Sequence, residues 1–124
     1  MLFRSQGILV KAVNYVPKAG DIVWLEFDPQ AGHEQAGTRP ALVLSPAEYN
    51  AKTGTMVCCP ITNQIKGYPF EVVIRDNPKV TGAILADQVK HLDWQARKAR
   101  HKGKVSVNEM AEVHGKVKAL LSLD

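Results

Sequence analysis

The sequence predicts a small β-rich α+β fold, barrel-like in outline, and three observations carry that expectation. Proline and glycine cut the 124 residues into short elements. Most of the segments between them are β-favouring and too brief for helices. One clear helical pattern stands alone at the C-terminus.

Taken in order, residues 1–14 show no periodicity and read as a loose extension. The first strand is Asp21 to Phe27, where Ile22, Val23, Trp24, Leu25 and Phe27 precede Asp28-Pro29. A polar loop from Gln30 to Arg39 leads into Pro40-Ala41-Leu42-Val43-Leu44, a short strand with its proline at the start, where a missing donor is tolerated. Ser45-Pro46-Ala47-Glu48 has the pattern of a helix start with Ser45 as cap, and Thr53-Gly54 ends that helix. Strands follow at Thr55 to Pro60, Phe70 to Ile74 and Gly82 to Lys90, with one or two helical turns expected over Leu92 to Arg97. Ser106-Val107-Asn108-Glu109 is a second capping box, and Met110, Val113, Val117, Leu120 and Leu121 continue it at helical spacing.

The length suits one domain, and 45% hydrophobic with 23% charged residues is ordinary for a soluble globular chain. The net charge of +4 is uneven: Lys90, Arg97, Lys98, Arg100, Lys102 and Lys104 against Asp93 leave the rest of the chain close to neutral. Such a segment points to an anionic partner. No apolar run approaches the ~20 residues of a membrane span, and Lys11 interrupts the N-terminal apolar stretch, so a cytoplasmic protein is expected. Cys58 and Cys59 are adjacent, which argues against pairing with each other and for reduced, structural thiols.

Several chemistries find no support. The four histidines, His33, His91, His101 and His114, are not at metal-ligand spacing, and Cys58-Cys59 lacks the CxxC pattern. P-loop, EF-hand, GxGxxG and GxSxG patterns do not occur. What remains is the loop Gly32-His33-Glu34-Gln35-Ala36-Gly37-Thr38-Arg39-Pro40 and a second polar cluster, Thr62-Asn63-Gln64 with Lys66. Composition alone makes the first a solvated hairpin loop. If the flanking strands are neighbours, both clusters meet at one end of the sheet.

These residues carry a resemblance. Gly20-Asp21-Ile22-Val23-Trp24, Phe27-Asp28-Pro29, Gly32 through Ala41, Leu44-Ser45-Pro46 with Tyr49-Asn50, Lys66-Gly67-Tyr68-Pro69-Phe70-Glu71-Val72 and Leu85-Ala86-Asp87-Gln88-Val89-Lys90 occur in the order and spacing of the MazF/PemK toxin endoribonucleases. The chain resembles that family, and its MazF branch most, from about Val16 to the C-terminus. The resemblance implies an SH3-like β-barrel of five to seven strands with short helices and a C-terminal helix, covering residues 16–124 and assembled as a homodimer. It implies a toxin of a type II toxin–antitoxin system that cleaves single-stranded RNA without metal or other cofactor, restrained by an antitoxin with a flexible acidic tail. It carries catalytic roles onto Arg39, Thr62 and Glu34, and RNA-binding roles onto Lys66, Gln88, Lys90 and Arg97.

The residue types suit that reaction. Attack of a ribose 2′-oxygen on its own phosphate needs the growing charge on the phosphoryl oxygens stabilised, and a guanidinium does this with two parallel hydrogen bonds. A guanidinium is a poor proton shuttle at neutral pH, so on physical grounds Glu34 is the better candidate to take the 2′-hydroxyl proton, with Arg39 as the alternative. Thr62 supplies a further donor. His33 reads as a solvated loop residue and Trp94 as a core anchor, although a place in the basic segment would let Trp94 stack a base. Trp24 reads as core or interface. Two rivals share the fold: a non-enzymatic DNA gyrase poison, whose C-terminal Trp-Gly-Ile is replaced here by Leu121-Ser122-Leu123-Asp124, and an RNA-binding module without activity.

Overall fold

The computed structural model describes residues 2–5, 8–11, 15–27 and 37–123. The elements are β1 (Leu2–Ser5), β2 (Ile8–Lys11), β3 (Asp21–Phe27), β4 (Gly37–Val43), α1 (Ala47–Thr53), β5 (Thr55–Thr62), β6 (Glu71–Val73), β7 (Ala83–Leu85), β8 (Lys90–Asp93), β9 (Arg100–Lys104) and α2 (Val107–Leu120). The hairpin β1–β2, in a segment where no element was expected, forms a ladder of its own. The other seven strands make one antiparallel sheet in the order β6-β7-β5-β4-β3-β9, with β8 also on β5.

Strand β5 explains how the sheet curls. One edge of it pairs with β4 through Ala41↔Pro60, Leu42↔Cys59 and Val43↔Cys58. Its other edge pairs with β8 over Thr55 to Cys58 and then with β7 over Ile61 and Thr62. The single strand expected over Gly82 to Lys90 is therefore two. β7 ends in a turn closed by the Gln88 amide on the Leu85 carbonyl, and the chain rejoins β5 as β8.

Three further expectations change. Residues 94–98 are a tight turn following a strand, not a helix over Leu92 to Arg97; Asp93 Oδ1 accepts from the Ala96 amide, and the Asp93 carbonyl from Arg97. β9, whose sequence Arg-His-Lys-Gly-Lys has no apolar pattern, was not expected at all; it is an edge strand on β3. Ser45 does not cap α1, whose cap position is Pro46. Its hydroxyl instead donates to Asn50 Oδ1 (2.6 Å) and accepts from the Val57 amide (2.8 Å). Asn50 is fully buried and donates to the Pro17 and Ser45 carbonyls, while its own carbonyl accepts from Trp94 Nε1. Satisfying that buried amide evidently outweighs an exposed cap.

Apolar side chains cover both faces of the central strands. Ile22, Leu42, Cys59, Ile61, Val72 and Ile84 form one cluster, closed by Val113 of α2. Val23, Leu25, Ala41, Val43, Met56, Cys58 and Trp94 form the other. Adjacent Cys58 and Cys59 thus point to opposite faces, as strand alternation requires, and both are buried. Burial pushes their thiols up to about 11 and about 12, which makes them inert at neutral pH.

The second capping box forms as read. Ser106 Oγ accepts from the Glu109 amide and Glu109 Oε1 from the Ser106 amide, while Glu109 Oε2 also accepts from Arg75 and Asp76. Burial alone would raise the pKa of Glu109. The donated hydrogen bonds outweigh it and hold the carboxyl below its ordinary 4.5. This stabilisation is present above 4.5 and is lost as the pH falls through the lower folded value. Glu109→Gln, which puts an amino group against amide donors, is expected to cost about 2 kcal/mol in urea unfolding at neutral pH. The gap to the parent should narrow in acid, and a gap that does not change with pH would contradict this account.

Candidate functional site

The register of β4 and β5 settles whether the two polar clusters meet. Ala41 lies opposite Pro60, so Arg39, two residues before it, and Thr62, two residues beyond Pro60, sit at the same end of the two strands. Pro40 and Pro60 offer no amide donor there, β5 turns to β7, and a groove of about 880 Å³ opens. Leu25, Phe27, Cys58, Ile61 and Leu92 contribute apolar lining. Arg39, Thr62, Asn63, Gln88, Lys90 and Arg97 supply the polar groups. Three cations thus line the groove, and no carboxylate does among the described residues.

Two of the cations share one support. The Arg97 guanidinium lies 4.2 Å from the centre of the Phe27 ring and that of Arg39 lies 5.8 Å from it. The ring face attracts both and helps hold two like charges in one groove. From sequence Phe27 is only a strand residue; this role has no signal in local pattern. Thr62 Oγ1 accepts from the Gln64 amide (3.0 Å), which directs its hydroxyl hydrogen elsewhere.

Five of the seven residues expected at the site therefore come together: Arg39, Thr62, Gln88, Lys90 and Arg97. Lys66 does not line the groove. Its amide and that of Gly67 donate to the carboxylate of Glu71, which folds the loop after Thr62 back on itself. Glu34 and His33 lie outside the described residues. Trp94 is a core residue, buried with its Nε1 donating to Asn50. Trp24 is half-buried and carries the Lys102 ammonium 3.8 Å above its ring, so this part of the basic segment packs on Trp24. Among the described residues no three His, Cys, Asp or Glu side chains gather in a way that could hold a metal ion. None of the described helices is long and apolar enough to cross a membrane.

Three cations and a hydroxyl at the open end of a curled half-barrel make a groove electrostatically suited to an anionic chain. Comparison with known proteins makes this specific. Residues 18–121 match the family described as PemK-like, MazF-like toxins of type II toxin–antitoxin systems, and the chain belongs to that family. It is 51% identical over 108 residues to the endoribonuclease toxin MazF of Escherichia coli (strain K12), spanning 87% of this chain and 96% of that protein. It is 35% identical over 107 residues to the Escherichia coli endoribonuclease PemK, spanning 83% of this chain and 80% of that protein. A crystal structure of MazE–MazF from Deinococcus radiodurans (form III) superimposes with a TM-score of 0.83 at 50% identity, covering 89% of this chain and all of that one. These likenesses agree with the SH3-like barrel implied by the sequence motifs.

Proposed function

We propose that this chain is an endoribonuclease toxin of a type II toxin–antitoxin pair, cutting single-stranded messenger RNA in the cytoplasm by attack of a ribose 2′-oxygen on the adjoining phosphate. The observation that carries this reading is the meeting of Arg39 and Thr62 at one end of a groove lined by cations and free of carboxylates among the described residues. Arg39 clamps two phosphate oxygens and stabilises the charge they gain. Thr62, its oxygen already engaged by the Gln64 amide, donates its hydrogen to a phosphate oxygen. Glu34 takes the 2′-hydroxyl proton. As the 2′-oxygen bonds to phosphorus the bond from phosphorus to the 5′-oxygen breaks, the departing 5′-oxygen takes a proton from solvent, and the ends are a 2′,3′-cyclic phosphate and a 5′-hydroxyl. Lys90 and Arg97 neutralise neighbouring phosphates, with Gln88 and Lys66 as further RNA contacts. No step requires a metal ion or other cofactor.

The toxin domain of this reading is residues 16–124, acting as a homodimer, with residues 1–15 an extension outside it. The family match over residues 18–121 supports that division. The partner is an antitoxin with an acidic flexible tail. Such a tail suits a groove built for phosphates, since its carboxylates compete for the same cations. The MazE–MazF complex of the Deinococcus radiodurans relative supports the pairing.

Primer extension on a long defined RNA tests the reading. Stops at fixed sequences should appear with EDTA present, and the products should carry the ends named above. Activity lost in EDTA and restored by magnesium would contradict it. Binding without any cutting would favour the inactive RNA-binding module.

A further inference from the structure

Two amide side chains line the groove, Asn63 and Gln88, and the structure treats them differently. Gln88 makes no side-chain hydrogen bond among the described residues. Asn63 is oriented: its Oδ1 accepts from Thr81 Oγ1 at 3.2 Å. Gly82 closes the space behind, since a Cβ there would lie 3.1 Å from the same Oδ1 and 2.7 Å from the Thr62 carbonyl oxygen. With one acceptor site of its oxygen engaged by Thr81, the exposed Asn63 keeps both Nδ2 hydrogens available to donate, one residue from the hydroxyl of Thr62.

We infer that Asn63 is a specificity-determining residue that reads one base of the bound RNA as a hydrogen-bond donor. Single-stranded RNA is read on the exposed edges of its bases. A group that donates favours the carbonyl oxygen of guanine or uracil and disfavours the amino group that adenine or cytosine places there. The inference rests on the RNA-cleaving reading of the groove. It adds that one position of the recognition sequence is a keto base and names the side chain that selects it.

The test uses a pool of RNAs of random sequence, presented to the full chain and to Asn63→Asp, Asn63→Ala and Thr81→Val. Cut ends are sequenced, and so are RNAs retained on the protein. The parent should prefer guanine or uracil at one position. Asn63→Asp, which replaces the donors with an acceptor, should move that position towards adenine or cytosine by on the order of tenfold, leaving other positions unchanged. Asn63→Ala should flatten it, and Thr81→Val, which releases the amide, should weaken it. The same profile for parent and Asn63→Asp, or a loss spread equally over all positions, would overturn the inference. If the parent retains RNA but cuts none, the cleavage reading fails, and the retained sequences still decide the role of Asn63. If it retains none, both fail.

Discussion

Arg39→Ala is expected to lower RNA cleavage by on the order of 10²-fold or more, the scale for losing a preorganised charge clamp on a transition state. The side chain is exposed on β4, at the end where that strand parts from β5, and its guanidinium reaches the groove beside Phe27. Folding should change by less than about 1 kcal/mol, because an exposed position away from the core seldom contributes more. Arg39→Lys keeps the charge but not the fork, so it should recover only part of the activity. Cleavage of an end-labelled RNA together with urea unfolding separates these effects. An alanine variant that cuts as well as the parent would remove Arg39 from the site.

Gly82→Ala should have the second largest effect, through backbone geometry. Gly82 has φ +123°, a conformation that L side chains rarely adopt, and a Cβ would fall 2.7 Å from the Thr62 carbonyl oxygen. Strand β7 begins one residue later and pairs Ala83 with Thr62. The substitution must therefore either strain the backbone or push β5 away where it delivers Thr62 to the groove. A loss of about 2 kcal/mol or more in stability is expected. Cleavage should fall at least tenfold under conditions where the variant is still folded. Thermal unfolding paired with cleavage at a temperature well below the transition reads both. A variant as stable and active as the parent would show that the β5–β7 junction does not hold the site.

Where local chemistry and tertiary demand agree, the structure was legible from sequence. Ser106 and Glu109 announced α2, and the structure uses both side chains as the pattern implies. Ser45 offered the same local signal at α1, yet the buried Asn50 and the Val57 amide claim its hydroxyl, a competition that only tertiary contacts reveal. β9 leaves no signal in the sequence because an edge strand of Arg, His, Lys and Gly has no buried face to show a period. The Gly82 to Lys90 stretch looked continuous because its break is set by β5, to which both of its pieces pair.

The site divides in the same way. Arg39 and Thr62 were readable as residue types and through a resemblance, but their meeting depends on the register of β4 and β5, which no local pattern contains. Phe27 and Asn63 gain significance only from what lies beside them: two guanidiniums for one, the Thr81 hydroxyl for the other.

If the ribose 2′-oxygen attacks its own phosphate within the groove, an RNA lacking that one oxygen should resist cleavage there. The most direct measurement replaces the single ribose on the 5′ side of the cleaved bond with 2′-deoxyribose in an otherwise identical RNA. Removing that oxygen removes the nucleophile and leaves the phosphates, the bases and the electrostatic fit unchanged. The modified RNA should bind as the parent RNA does and remain uncut at that position. Cleavage there at an undiminished rate would mean that another nucleophile attacks the phosphate, and would contradict the account.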